Sequence, residues 1–407
     1  MMAEPTAART TMVRSPVTHR VAILHTSDTL EAWDFCRGVA SYRPRSGIWG
    51  LRSIPMKSHS STSYLRRLGQ TPCDGLIMMP GRWRTLKLLH ERGVKVVEVD
   101  GDGDRMPYAR IHIDDRYIGR LAGEHLVERG FTRVMYLGDR SDWSRQRAAG
   151  LQQVVTAAGG QCDAAWSSDW LQLTSETWIR RQCKRVARPF AVMGCDDLVA
   201  AAAVRAMNSA GWQVPAEVGV IGVDDRITEC IGVEPPLSSI SHERFSIGHE
   251  AARTLDVLFM GGKPDTRTVQ LFRPKRVIER ESTSTYVYQD PDVAAAIAFI
   301  HREACNGVTI DEVVRHVSLA RRTLERRFAR VVGRSPGDEI RRVRLDAVKH
   351  AIERTHLPLA DVAEQCGFSC LSSLSHSFRL ATGMSPQAYR KQVRSAGVEP
   401  ARGPFGG

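Results

Sequence analysis

Between His19 and Arg280 the chain alternates short, nearly continuous apolar runs with stretches of helical spacing. The runs are Val21–Leu24, Gly75–Met78, Val94–Val99, Ile111–Ile113, Arg133–Leu137, Phe190–Met193 and Val218–Val223; helical spacing is clear at Gly119–Arg129 and Leu198–Ala210. A run that is apolar on both faces predicts a strand in a parallel sheet covered by helices on both sides. The alternation predicts α/β architecture with right-handed crossovers. From Asp292 to Gln392 such runs stop and the pattern is helical throughout. Between the two regions, 281–291 has no apolar periodicity, and Asp290 precedes a proline, which disfavours helix there. That segment is expected to be a linker, and 1–18 and 393–407 are expected to be disordered tails.

The helical region contains a repeat. Phe328, Gly333, Ser335 and Pro336 recur fifty residues later as Phe378, Gly383, Ser385 and Pro386. Each copy follows a pattern of the size of a helix–turn–helix. The first is Ile310–Val317, a turn at Ser318–Ala320, then Arg321–Val331; the second is Leu359–Gln365, a turn at Cys366–Ser369, then Cys370–Ala381. Glycine followed by Ser-Pro predicts a helix stop and a fresh start, with Ser at the N-cap and Pro at the first helical position. The expectation is an all-α C-terminal domain, 292–392, with two helix–turn–helix units.

In the second helix of the first unit, Leu324 and Phe328 lie four apart and point inward, so Arg322 and Arg326 face away from the core. An apolar side for the scaffold and guanidinium groups for phosphates or guanine edges are what a DNA recognition helix needs. Arg321 and Glu325 share this helix. In the second unit, Leu374 and Phe378 repeat the inward pair and leave Ser372, Ser373, Ser375 and His376 for the groove. Hydroxyls suit phosphates or tolerant base contacts, so this unit should discriminate less sharply. A solvated basic helix, with His376 as an ordinary surface residue, is the alternative.

The residues after the strands are rich in carboxylates: Asp100, Asp114 and Asp115, Asp196 and Asp197, Asp224 and Asp225. Open α/β sheets bind ligands at these strand ends. Asp115 or Asp197 could serve as a helix N-cap, and the doublets suggest that one Asp caps while the other faces a ligand. Asp, Arg and His with an aromatic ring nearby suit a sugar, whose hydroxyls pair with charged groups while a ring covers its apolar face. Catalytic signals are absent. Gly333-Arg-Ser335-Pro-Gly337 spells a nucleophile elbow but follows a helix rather than a strand. Gly101-Asp-Gly103 lacks the third glycine of a dinucleotide fingerprint, and there is no phosphate loop or metal-binding H-E-x-x-H. Cys366 and Cys370 would need two further ligands to hold a metal. No cofactor and no metal are expected.

Composition narrows the picture further. An excess of 57 Lys+Arg over 45 Asp+Glu, formally +12, favours a polyanionic partner. Nine cysteines without a C-x-x-C pair are expected as reduced thiols. No apolar run approaches the roughly 18 residues of a membrane span, and the N-terminus lacks the apolar core of a secretory signal. A cytoplasmic protein is expected.

These residues resemble two known families joined in one chain. Ile310–Arg390, with Cys366-Gly-Phe368 and both G-x-S-P marks, is similar to the AraC/XylS-type DNA-binding domain. The segment 19–280 resembles the LacI/GalR and periplasmic sugar-binding fold through Arg147-Ala-Ala-Gly150, Cys195-Asp-Asp197, Val214-Pro-Ala-Glu-Val218, Val220-Ile-Gly-Val-Asp224-Asp225 and Pro235-Pro-Leu-Ser-Ser-Ile240. Their combination and order, with Arg273–Arg280 before the linker, resemble the bacterial xylose-operon activator family. No LacI-type N-terminal DNA headpiece is expected, so DNA binding is expected to fall to the C-terminal end. The resemblance implies a two-lobed sugar sensor, 19–280, and a C-terminal DNA-binding domain that activates transcription. It implies effector contacts at Asp100, Arg147, Asp196, Asp224 and His242, with Asp196 in place of a frequent Asn and His242 in place of a frequent Gln. Trp33 is either a stacking ring or a core residue. Base-reading positions fall on Arg322 and Arg326, with Glu325 adding a contact, and on Ser372 and His376, where Arg is common in place of His376. The expected partners are double-stranded DNA, a small sugar such as D-xylose or a related pentose, a second copy of the chain and RNA polymerase, with no membrane. A non-sugar effector or a ligand-free sensor is the alternative; a sugar-processing enzyme is a third.

Overall fold

A computed structural model describes residues 18–25, 30–55, 73–79, 83–100, 107–263, 269–274, 276–288 and 290–395. The expected tails lie outside these residues except at Thr18, which opens a strand, and 393–395, which close a helix.

The chain begins with β1 (Thr18–His25), α1 (Leu30–Ser41), β2 (Ile48–Pro55), β3 (Gly75–Met79), α2 (Trp83–Glu91), β4 (Lys95–Val99) and β5 (Ala109–Ile113). It continues with α3 (Asp115–Glu128), β6 (Arg133–Gly138), α4 (Asp142–Ala157), β7 (Gln161–Trp166), α5 (Trp170–Leu173) and α6 (Glu176–Cys183). Then come β8 (Phe190–Gly194), α7 (Asp197–Ser209), β9 (Val218–Val223), α8 (Ile227–Ile231) and β10 (Ser238–Ile240), followed by α9 (Arg244–Phe259), β11 (Gln270–Phe272) and β12 (Val277–Ile278). Two six-stranded sheets result, ordered β11-β5-β4-β3-β1-β2 and β12-β10-β9-β8-β6-β7. Every pairing is parallel except β10 with β12. The chain forms two compact units, Met1–Asp114 with His242–Pro274, and Asp115–Ser241 with Lys275–Gly407.

The central strands β3, β8 and β9 are buried at every position, as their unbroken apolar runs predict. β2 and β7 went unpredicted because they are edge strands, largely exposed, and carry no apolar run. In the second unit α3 and α4 pack backbone to backbone. A Cβ on Gly119 would lie 1.9 Å from the Arg147 carbonyl oxygen, and one on Gly150 would lie 2.0 Å from that of Arg116. Only glycine permits this approach, and it brings Arg147 to the start of α3.

The segment expected as a linker is anchored at its start. Glu281–Thr283 forms a 3-10 turn whose Ser282 and Thr283 are fully buried. The Ser282 hydroxyl donates to the Val220 carbonyl at 2.6 Å, and Arg129 Nε donates to the Thr283 carbonyl at 2.8 Å. Polar side chains bury here through hydrogen bonds, which apolar periodicity does not register.

The helical region comprises α10 (Pro291–Glu303), α11 (Ile310–Val317), α12 (Arg321–Val332), α13 (Pro336–Arg354), α14 (Leu359–Gln365), α15 (Leu371–Thr382) and α16 (Pro386–Ser395). Both expected helix–turn–helix units are present, within a residue of the predicted limits. Gly333 and Gly383 end their recognition helices in the left-handed region, and Ser335 caps α13 by accepting from the Asp338 amide at 3.2 Å. The G-x-S-x-G spelling is therefore a helix stop and restart. Each unit has its own core. Val293, Ile297, Ile300, Leu324, Phe328 and Ile340 form the first, and Leu345, Val348, Ile352, Val362, Leu374 and Phe378 the second. Helix α13 contributes to both.

Candidate functional site

In the second unit the strand ends of β8 and β9 and the start of α3 gather a charged cluster. Arg147, buried on α4, places Nε 2.8 Å from Asp115 Oδ1 and donates through Nη1 to the Cys195 carbonyl at 2.6 Å. Its guanidinium carbon lies 4.7 Å from the centre of the Trp143 ring, one helical turn back. Burial works against the Arg147 charge, but the carboxylates of Asp115 and Asp224 hold its pKa above the ordinary value. Asp224 has a left-handed backbone, φ 107°, and pairs with Arg226 at 3.1 Å. Burial, with the Asp224 charge adding to it, raises the pKa of Asp196. Arg147, Asp196 and Asp224 therefore act on one another electrostatically, together with Asp115 and Arg226. Sequence reading did not single out Trp143 or Arg226, although Trp143 stands at the i,i+4 spacing from Arg147 that puts both on one helix face.

Within the Asp196–Asp197 doublet the capping residue is Asp196, not Asp197. Asp196 is the N-cap of α7, accepting from the Val199 amide at 3.0 Å. Asp197 is wholly buried and accepts from the Ser239 hydroxyl at 2.6 Å and the Arg226 amide at 2.7 Å. Burial, then the Asp224 charge, pushes its carboxyl well above the usual range. The cap falls to the first Asp because the helix begins one residue earlier than the apolar spacing suggested.

The other three expected effector residues lie in the first unit. Asp100, with φ 49° after β4, accepts from the Ile113 amide at 2.9 Å and faces Arg244 at 3.8 Å. His242 is buried. Trp33 on α1 is 56% exposed, which removes the core-packing alternative.

The two recognition helices match position by position: the burial classes over 321–330 repeat without change over 371–380. Leu324, Phe328, Leu374 and Phe378 are fully buried. Arg322, Arg326, Ser372 and His376 are exposed, and Ser373 and Ser375 are half-buried. Among the described residues neither Arg322 nor Arg326 forms an ion pair. Arg321 and Arg327 have other partners. Arg321 is held by Glu325 at 3.0 Å and Asp311 at 3.2 Å, so Glu325 restrains a neighbour as well as facing outward. Arg327 makes a bidentate pair with Asp290, the N-cap of α10, at 2.7 and 2.5 Å. An open groove of about 850 Å³ lies between the two units, lined by residues including Thr309, Arg344, Phe368 and Ser373. It is remote in sequence from the strand-end carboxylates.

Residues 124–283 match the periplasmic binding protein-like domain, and 313–392 match a helix-turn-helix domain. The xylose operon regulatory protein of Haemophilus influenzae is 23% identical over 337 residues, covering 79% of this chain and 86% of that protein. That of Escherichia coli K12 is 25% identical over 294 residues, covering 70% and 74%. The solved structure of the xylose-binding transcription activator xylR superposes with a TM-score of 0.55 at 22% identity, covering 92% of this chain and 98% of that one. The chain resembles the xylose operon regulatory proteins over both its α/β region and its helical region.

It is accordingly a DNA-binding transcription regulator and not an enzyme. The order of parts is an α/β periplasmic-binding-protein-like sensor followed by a two-unit helical domain, as in the xylR structure. All nine cysteines are free thiols. Among the described residues no group of His, Cys, Asp and Glu is arranged to hold a metal, and no helix is long and apolar enough to cross a membrane.

Proposed function

We propose that the protein is a cytoplasmic regulator whose α/β sensor binds a small sugar, D-xylose or a related pentose, and thereby controls transcription of a target operon, as an activator. The observation that carries this reading is the charged cluster of Arg147, Asp115, Asp196 and Asp224 at the strand ends of a sensor joined to paired recognition helices. Arg147, Asp196, Asp224, Trp33, Asp100 and His242 are the proposed sugar contacts. Carboxylates and a guanidinium held in fixed geometry suit vicinal hydroxyls, and an exposed indole suits the apolar face of a sugar. The chain acts as a homodimer, with Arg322 and Arg326 reading bases in one major-groove face and Ser372 and His376 contacting the next, about one helical turn away. Activation implies contact with RNA polymerase.

The sugar can shift DNA binding only by the difference in its affinity for two states of the sensor, typically about 1–3 kcal/mol. A thermal-shift panel of pentoses and hexoses on the full chain tests the reading. At 100 times Kd the favoured sugar stabilises the folded sensor by about 2.7 kcal/mol. Asp224→Ala should remove that shift and leave sugar-free DNA binding intact. A flat panel with the wild-type chain would replace the sugar with a non-sugar effector or with a sensor that has lost its ligand.

A further inference from the structure

The C-terminal end of α3 does two different things in consecutive residues. Arg129, just beyond the helix and almost wholly buried, donates to the Thr283 carbonyl at 2.8 Å and the His125 carbonyl at 3.0 Å and pairs with Glu279. His125 is buried against the same Thr283, hydrogen-bonded at 2.7 Å, and burial followed by the Arg129 charge pushes its imidazole pKa well down. These contacts stay within the sensor and the segment that leaves it. Glu128 instead reaches the DNA-binding domain. Its Oε1 lies 2.8 Å from Arg342 and 3.6 Å from Arg334, both at the first helix–turn–helix unit. The Tyr288 hydroxyl donates to the Glu128 carbonyl at 2.5 Å, closing the joint from the side of the connecting segment.

We propose that Glu128 closes an ionic clasp on Arg334 and Arg342, tying the first helix–turn–helix unit, and not the second, to the sensor. Three observations carry it. Both arginines have a second, internal partner, Glu339, which is 1% exposed. It takes Arg342 at 2.8 and 3.2 Å, Arg334, and His301 at 2.7 Å. Opening the clasp would leave neither guanidinium without a carboxylate, and Glu128, about a third exposed, would return to water. A buried pair stripped of one partner is costly to break; this one is built to open. Finally, the repeat puts Met384, Tyr389 and Gln392 where the first unit has Arg334, Glu339 and Arg342, so the second unit carries no charge at these positions. Its Tyr389 donates to Glu353 of α13 at 2.7 Å instead, within the DNA-binding domain. The same helix begins at Asp115, the partner of Arg147. If the effector reading above holds, rearrangement at that cluster reaches the DNA through the first unit, and the second follows on α13.

Hydrogen exchange on the full chain without any sugar tests the clasp. Glu128→Gln should speed exchange over 338–346 by about twofold to tenfold, the range expected for one or two partly exposed ion pairs, and leave 371–395 unchanged. Glu124→Gln, one turn earlier and paired only locally with Arg120, should change neither. Unchanged exchange at 338–346 in Glu128→Gln, or an equal rise in both units, overturns the clasp. A second arm uses D-xylose as the probe and a duplex selected from a random pool. Glu128→Gln should keep the thermal shift with D-xylose but lose at least about threefold of its effect on DNA affinity. Loss of the thermal shift itself would overturn the proposal by placing Glu128 in the binding site. If the wild-type chain shows no D-xylose response, the sugar reading fails and the exchange arm alone decides the clasp.

Discussion

The first and second helix–turn–helix units have the same skeleton and different chemistry. Over 321–330 and 371–380 every residue has the same burial class as its partner fifty positions away, and Leu and Phe fill the same inward sites. Where side chains face out, the first unit offers Arg322 and Arg326, and the second Ser372 and His376. Around the rim, the first unit is tied by ions, Glu339 with Arg334, Arg342 and His301, whereas the second uses the Tyr389 phenol. Inward positions answer to packing and repeat together. Outward positions answer to a partner, and each unit has diverged at them according to what it meets.

Four measurements would sharpen or break that comparison. The largest effect should be the most symmetrical. Phe328→Ala and Phe378→Ala each remove a fully buried ring and should each cost about 3–5 kcal/mol, read by denaturant unfolding. Markedly unequal losses would mean that the cores are not equivalent.

Acid should separate the units. Burial opposes ionisation of Glu339, but His301, Arg342 and Arg334 hold its pKa well below the usual carboxylate range. Asp290 and Asp338, also of the first unit, are lowered by Arg327 and by Ser335 respectively. A carboxylate depressed in the folded state contributes stability above its unfolded pKa and loses it as pH falls through the folded value. On acidification, the methyl signals of Leu324 should therefore change before those of Leu374. The reverse order would refute the contrast between ionic and phenolic rims.

Against a selected duplex, Arg322→Ala should cost about 1–3 kcal/mol with relaxed preference at one base pair. Ser372→Ala, its counterpart, should cost less than about 1 kcal/mol, in line with a neutral hydrogen bond. Equal penalties would remove the distinction between a reading helix and a supporting one. The smallest change is expected from His376→Arg, which should steepen the dependence of log K on log salt by about one unit for each added phosphate contact. An unaltered slope would place position 376 away from the backbone.

The sequence announces structure best where packing dictates it. The helix–turn–helix limits were legible because Leu324, Phe328, Leu374 and Phe378 impose a helical period and Gly-Ser-Pro punctuates it. The central strands were legible because they are apolar on both faces. The edge strands β2 and β7 were not, since an exposed edge needs no apolar run. The anchored start of the linker was not legible for a related reason: Ser282 and Thr283 are buried by their hydroxyl hydrogen bonds, and composition alone reads such residues as loop. At the sensor, the residue types and their place after the strands were legible, and Arg147, Asp196 and Asp224 do gather. Which Asp of the 196–197 pair caps the helix depends on a one-residue choice of helix start that spacing cannot make. In the recognition helix, the outward direction of Arg322 and Arg326 followed from period, whereas the pairing of Arg321 with Asp311 needs the fold.

The crossing of α3 and α4 bears on how such a sensor could acquire a new ligand. At Gly119 and Gly150 even a methyl group would meet a carbonyl oxygen at about 2 Å, so both positions are closed to every other amino acid unless the helices part. Around Arg147 the side chains can drift, while the frame that presents them cannot. Lineages descending from such a chain would be expected to change the side chains around Arg147 more readily than those two glycines.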